Sequence, residues 1–201
     1  MGVTDMKAFV INLTERKDRM EQFLQNNFPF PVMRFNAIKD DPGWDGCSKS
    51  HLSILRKQKE YPFIIFEDDV VLLQSWDIVE KAMSQLPEDW DALWLSATLM
   101  ILQSRYSDNL FRLKEGLCAS AIIYNSKRII DYIIDSYEIW VPHAGQRKSI
   151  DVFYAYDVQQ KFNCYIVAPL IITQRPGYSD IEKRDINYEQ IVNLFNIHAC
   201  E

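Results

Sequence analysis

Cysteine is scarce, and its spacing is wrong for a metal or redox motif. The four cysteines, Cys47, Cys118, Cys164 and Cys200, form no C-x-x-C pair, which speaks against a zinc ribbon or a thioredoxin-like centre. They read as free thiols of a reducing compartment. No charged-then-apolar leader opens the chain at Met1-Gly2-Val3-Thr4-Asp5, so the expected location is cytoplasmic, or luminal if a leader has been removed. Long apolar runs are missing too. The stretch from Tyr165 to Ile172 is short and holds Pro169, so no transmembrane segment is expected. Basic charge is in deficit: 22 Lys and Arg stand against 28 Asp and Glu, a net charge of −6. With a pI near 5.1, the chain lacks the basic surface that nucleic-acid binding requires. A local basic pocket for a phosphorylated small molecule remains compatible with that balance. Internal repeats and low-complexity tracts are also absent.

What is present is ordinary globular material. The 201 residues, 48% hydrophobic and 25% charged, suit a single domain with a sizeable core. Apolar runs of strand length recur at Lys7 to Leu13, Val32 to Ala37, Phe63 to Phe66, Trp90 to Ser96, Gly116 to Tyr124 and Cys164 to Ala168. Between them lie helical patterns, expected at Glu15 to Gln25 with Thr14 as cap, at Cys47 to Glu60, and from Ser75 to Leu86. Others are expected after Ser126 and over Val152 to Phe162. A hairpin is expected around Ser107-Asp108-Asn109. The alternation predicts one α/β domain over 1–201, with a mixed, mostly parallel sheet flanked by helices. Its core spans about 7–181, followed by a helical tail over 182–201.

The chemistry concentrates in Phe63-Ile64-Ile65-Phe66-Glu67-Asp68-Asp69-Val70, where four apolar residues run into three carboxylates. In α/β sheets, ligands bind at the carboxyl ends of the strands. Carboxylates crowded there repel one another unless a cation neutralises them or one stays protonated. In an extended chain Glu67 and Asp69 point to the same side, so they are the expected pair around one Mn²⁺ or Mg²⁺, ions that prefer oxygen ligands. A solvated turn after an edge strand is the plainer reading. Asn12, Arg16 and Arg19 follow the first strand, where backbone N–H groups and two guanidinium groups suit an anionic ligand. His51 is expected to be a hydrogen-bonded structural residue. Asp151 opens a helix, the place of an N-cap or of a carboxylate facing a site.

Five pieces stand in one order: Phe9-Val10-Ile11-Asn12-Leu13 with Arg16 and Asp18-Arg19; Gly46-Cys47 with Ser50-His51-Leu52; Phe66-Glu67-Asp68-Asp69-Val70; Ser149-Ile150-Asp151; and Pro169 followed by Ser179-Asp180-Ile181. The ordered set resembles glycosyltransferase family 25, which includes lipooligosaccharide and procollagen galactosyltransferases. The resemblance implies a GT-A fold, a UDP-sugar donor and an acceptor hydroxyl on a glycan or a hydroxylated protein. It also implies a metal site at Glu67-Asp68-Asp69, and a nucleotide lying against Asn12, Leu13, Arg16, Ala37, Ser50 and Asp68. The implied route is inverting and needs a general base, with Asp151 first choice and Asp180 second. Cys118-Ala119-Ser120-Ala121 departs from the family, which often carries glycines there. Two rival readings use the same carboxylates differently. One is a metal-dependent phosphohydrolase or nucleotidyltransferase, though its aspartyl-phosphate form wants Asp where Glu67 stands. The other is a degenerate, non-catalytic sugar-binding module.

Overall fold

The computed structural model describes residues 6–145, 148–179 and 183–199. Eight strands form the central sheet: β1 (Lys7–Asn12), β2 (Val32–Asn36), β3 (Phe63–Glu67), β5 (Ala92–Trp94), β6 (Met100–Ser107), β7 (Leu110–Gly116), β8 (Ala121–Tyr124) and β9 (Cys164–Val167). Their order is β2-β1-β3-β8-β5-β9-β7-β6. β1 is parallel to β2 and β3, and β5 to β9; β8 is antiparallel to β3 and β5, and β7 to β9 and β6. Six strands therefore run one way and two, β8 and β7, run against them. The chain is a mixed α/β fold with a mostly parallel central sheet.

The period-2 alternation of β3 sorts the core into two layers. Phe63 and Ile65 face a cluster with Ile122, Tyr124 and Trp94. Ile64 and Phe66 face the opposite cluster with Ile123, Leu93 and Val10. The first layer is closed by α2 (Gly43–Leu55) and α4 (Lys127–Trp140), and by α5 (Ile150–Phe153), which runs through a π-helical turn (Tyr154–Val158) into α6 (Gln159–Lys161). The second is closed by α1 (Lys17–Leu24) and α3 (Asp77–Ser84). All four apolar residues of β3 are wholly buried. Each such side chain contributes about 1.5–3 kcal/mol of burial. This central strand thus fixes the position of the acidic turn that follows it.

That turn, Asp68-Asp69, leads into β4 (Val70–Leu72), which leaves the main sheet and pairs antiparallel with β10 (Ile172–Gln174). β11 (Gly177–Ser179) pairs with β12 (Arg184–Ile186) before α7 (Glu189–Ala199). The segment expected as a helical tail therefore begins with a strand. α7 is docked rather than trailing: Val192 is buried in the core, and Asn196 holds both backbone polar groups of Leu170.

Several boundaries differ from the sequence expectation, for local reasons. α1 starts at Lys17, with Arg16 and not Thr14 at the N-cap position, because residues 13–16 close a turn of their own. In that turn Arg16 N–H donates to Leu13 O at 2.9 Å, and the Asn12 amide donates to Arg16 O at 2.9 Å. Leu24, the last residue of this helix, is largely exposed. α2 starts at Gly43, four residues before the expected start at Cys47, so Gly43 and Gly46 are helical. Gly46 is needed there for close approach: a Cβ would sit 2.4 Å from Ile38 O. β8 begins only at Ala121, since Gly116 belongs to β7. α4 starts where its cap predicts, with Ser126 Oγ accepting from Ile129 N–H. The hairpin turns at Asp108-Asn109 as expected.

Candidate active site

The carboxyl ends of β1, β2 and β3, with residues 118–119 before β8, surround a cleft of about 700 Å³. The three acidic residues separate at its floor, each to its own partners. Glu67 ends β3, and its Oε1 meets His51 Nε2 at 3.2 Å and accepts from Cys47 Sγ at 3.4 Å. Asp68 accepts from Asn12 Nδ2 at 2.7 Å and from Arg19 Nη1 at 3.3 Å. Asp69 accepts from Gln174 Nε2 at 3.3 Å, while its Oδ1 is buried with no partner. The backbone is pinned as well, with Arg175 N–H donating to Asp69 O at 2.6 Å.

These surroundings push the three acidities apart. Burial raises Asp69 to about 7, and the neighbouring Glu67 and Asp68 charges add to the rise. Burial also raises Asp68, against the pull of Asn12 and Arg19. Glu67 feels the same burial, but hydrogen bonding and charge from His51, with the Cys47 contact, hold it below the usual carboxylate range. Two neighbouring carboxyls with opposite shifts mark places where charge is handled rather than merely solvated. The uncompensated oxygen is the Oδ1 of Asp69. A buried anionic oxygen without a donor is costly unless a cation or proton supplies one.

The residues expected from the sequence are distributed around this floor. Leu13, Arg16 and Ala37 line the cleft, as do Glu67, Asp68 and Asp69. Asn12 lies behind the wall, wholly buried, where it positions Asp68; Ala37 N–H donates to Asn12 O at 2.9 Å. Ser50 is a wall residue: its hydroxyl accepts from Ile38 N–H at 2.8 Å and donates to Gly46 O at 2.7 Å, fixing the 37–40 loop. Asp151 also lines the cleft. Ser149, not Asp151, occupies the N-cap position of α5, so Asp151 is the second helical residue. Burial raises its pKa above the ordinary value, with the Glu67 charge adding to the effect. Asp180 lies outside the described residues.

Sequence reasoning placed Arg19 among the residues suited to an anion and missed other contributors. Arg19 reaches Asp68 and also donates to Tyr178 O at 3.0 Å, tying α1 to β11 across the cleft. Gln174 and Arg175 arrive from β10 and its end; both line the cleft, and Arg175 Nε is buried without a partner. Cys47, expected as a free thiol, and His51, expected as a hydrogen-bonded structural residue, stand one helical turn apart on α2 and meet at Glu67 Oε1, a convergence that their sequence spacing alone does not show. Cys118 stands at φ +99°, in the left-handed region that favours glycine, which is the structural meaning of the Cys-Ala-Ser-Ala departure. Two donor sets could hold a cation, and they share Glu67. One is the carboxylate pair Glu67 and Asp69. The other is Cys47, His51 and Glu67, whose donor atoms lie within 4.8 Å of one another.

No helix among the described residues is long and apolar enough to cross a membrane. No protein-family model and no curated protein sequence matches the chain. Among solved structures, protein A197 from STIV is similar at 12% identity and a TM-score of 0.48, over 90% of this chain and 93% of that one. A nucleoside-diphosphate-sugar pyrophosphorylase from Vibrio cholerae RC9 is similar at 11% identity and a TM-score of 0.40, over 83% of this chain and 74% of that one.

Proposed function

We propose that the cleft takes a nucleotide sugar, UDP-linked, and transfers its sugar to a hydroxyl of a glycan or a hydroxylated protein, in the manner of glycosyltransferase family 25. The observation that carries this reading is the buried, partnerless Oδ1 of Asp69 beside Glu67, on the floor of a cleft of about 700 Å³. That oxygen fits a hard divalent cation, Mn²⁺ or Mg²⁺, which prefers oxygen ligands. Asp69 and Glu67 would hold it, Glu67 through Oε2, since Oε1 is engaged by His51 and Cys47. When bound, the ion supplies positive charge against the charge that develops on a departing diphosphate. Asp68 is already committed to Asn12 and Arg19, and its role is to keep the turn in place.

The chain's own residues supply the rest. Arg16, Arg19 and Arg175 face the cleft and offer guanidinium donors to phosphate oxygens. Asp151, in the cleft lining, takes the proton of the acceptor hydroxyl as that oxygen bonds to the anomeric carbon. The bond from that carbon to the diphosphate breaks in the same step, and its electron pair leaves with UDP. Burial of Asp151 makes it a stronger base than an exposed aspartate.

The test is UDP release from a panel of UDP-sugars, with Mn²⁺ and with chelator, alongside calorimetry of UDP itself. Metal-dependent release is expected. Full release in chelator would remove the cation from the reading. Failure to bind UDP would remove the nucleotide.

A further inference from the structure

We propose that Cys47, His51 and Glu67 form a site for a borderline, thiophilic cation such as Zn²⁺, and that occupying it denies Glu67 to the hard cation. The binding half stands on the side chains alone; the exclusion half rests on the Glu67 and Asp69 cation site proposed above.

Cys47 and His51 are i and i+4 on α2, so they project from one face, one above the other. That face meets the last residue of β3. The Cys47 sulfur lies 3.4 Å from Glu67 Oε1, and His51 Nε2 lies 3.2 Å from the same oxygen. Tetrahedral zinc, with bonds of about 2.3 Å to sulfur and about 2.0–2.2 Å to nitrogen and oxygen, puts its donor atoms roughly 3.3–3.6 Å apart. The two measured separations fall at or next to that range, and all three donors lie within 4.8 Å of one another. Cys47 and Glu67 both line the cleft, so a fourth position would open toward it. His51 is wholly buried and its Nδ1 has no partner. Without metal the Nε2 proton faces the acceptor Glu67 Oε1; because no neighbour holds Nδ1, that proton can move there and leave Nε2 a lone pair for the metal. On binding, the Cys47 thiol proton is released to solvent and sulfur bonds the metal as thiolate. Nitrogen and sulfur suit zinc and cadmium far better than magnesium.

The experiment uses the full chain, stripped with chelator and kept reduced with a phosphine, and titrated with Cd²⁺ alone. Wild type should develop the ultraviolet sulfur-to-cadmium charge-transfer band and saturate at a single equivalent. Cys47→Ser should abolish the band. His51→Gln should weaken binding about a hundredfold or more, since losing even an outer partner of a ligand costs 10–100-fold. Asp69→Asn should keep the band but lose Mn²⁺ binding measured by electron paramagnetic resonance, and Zn²⁺ should release Mn²⁺ from wild type. Melting curves establish that each variant is folded. A wild type without the band, or a band that survives Cys47→Ser, overturns the thiophilic site. Loss of Cd²⁺ binding in Asp69→Asn shows one merged site and overturns the separation. Mn²⁺ that stays bound at saturating Zn²⁺ overturns the exclusion. Absence of any Mn²⁺ binding to wild type overturns the exclusion and the hard-cation site together, while the Cd²⁺ result stands by itself.

Discussion

Asp91 and Asp69 sit at opposite edges of the same sheet. Asp91 precedes β5, at the edge where the parallel strands begin; Asp69 follows β3, where they end. Asp91 is wholly buried, yet each of its oxygens has two donors. Oδ1 accepts from Ser126 and from Arg128 Nε at 2.6 Å; Oδ2 accepts from Arg128 Nη2 at 2.6 Å and from Asn163 N–H at 2.8 Å. Asp69 has one long hydrogen bond, from Gln174, and one bare oxygen. Folding has completed the first carboxylate and left the second incomplete. A carboxylate with all its partners acts as a fastener. One that lacks them, on the floor of a cleft, is kept for something that arrives later.

Substitutions on the two edges should separate these roles. The largest effect is expected at Asp151, on the incomplete side. Asp151→Asn should lower transfer by roughly 10²–10⁴, the usual worth of a positioned base. Its melting temperature should barely change, because Ser149 holds the cap position. The acid limb of the wild-type pH–rate profile should lie above the ordinary aspartate value of 3.8, since burial raises this carboxyl and only the ionised form accepts a proton. Near-normal transfer by a folded Asn variant would end the base assignment.

Asp69→Asn should follow, with transfer reduced by about 10²–10³, the scale of losing one preorganised electrostatic contact. Asp91→Asn should instead leave transfer per folded molecule unchanged. It should cost about 1.5–3 kcal/mol in urea unfolding, the worth of a hydrogen bond to a charged group. If Asp91→Asn impaired transfer without unfolding, the comparison would collapse.

The smallest effect concerns stability without metal. Burial raises Asp69 from 3.8 to about 7 in the folded chain, so folding favours its protonated form. The stability this group provides is present below pH 3.8 and is lost as pH rises through about 7. In chelator, Asp69→Asn should therefore be more stable than wild type at pH 8, and the gap should close as pH falls toward 4. A gap independent of pH would show that Asp69 finds a donor in solution.

The strands were legible because their signals are local. Phe63 to Phe66 is continuously apolar, and Ser126 caps the helix that follows it. The acidic turn was legible for the same reason, as three consecutive carboxylates directly after a buried strand. The start of α2 was not. Pro42, Gly43 and Gly46 carry turn chemistry in isolation, and only the backbone of residues 38–40, packed against Gly46, makes the glycine an asset to a helix. The chain turns at Asp68-Asp69 instead of continuing extended, so it is the turn, and not strand alternation, that sends Asp68 to Asn12 and Arg19 and Asp69 to Gln174. Gln174 and Arg175 carried no local mark. Their place follows from strand pairing between β4 and β10, which no short window of sequence contains.

The small β4–β10 ladder has a consequence in time. Asp69 and Gln174 are 105 positions apart, Arg19 and Tyr178 are 159 apart, and these contacts close the cleft floor. Contacts so distant along the chain form late, after the loop entropy between them has been spent. A ribosome-bound chain that has made β1 to β8 already owns all three carboxylates but lacks the strand that braces them. The cleft floor is therefore among the last parts of the molecule to set. Its backbone latch, the Arg175 amide on Asp69 O, should become protected from hydrogen exchange only when nearly the whole polypeptide is in place.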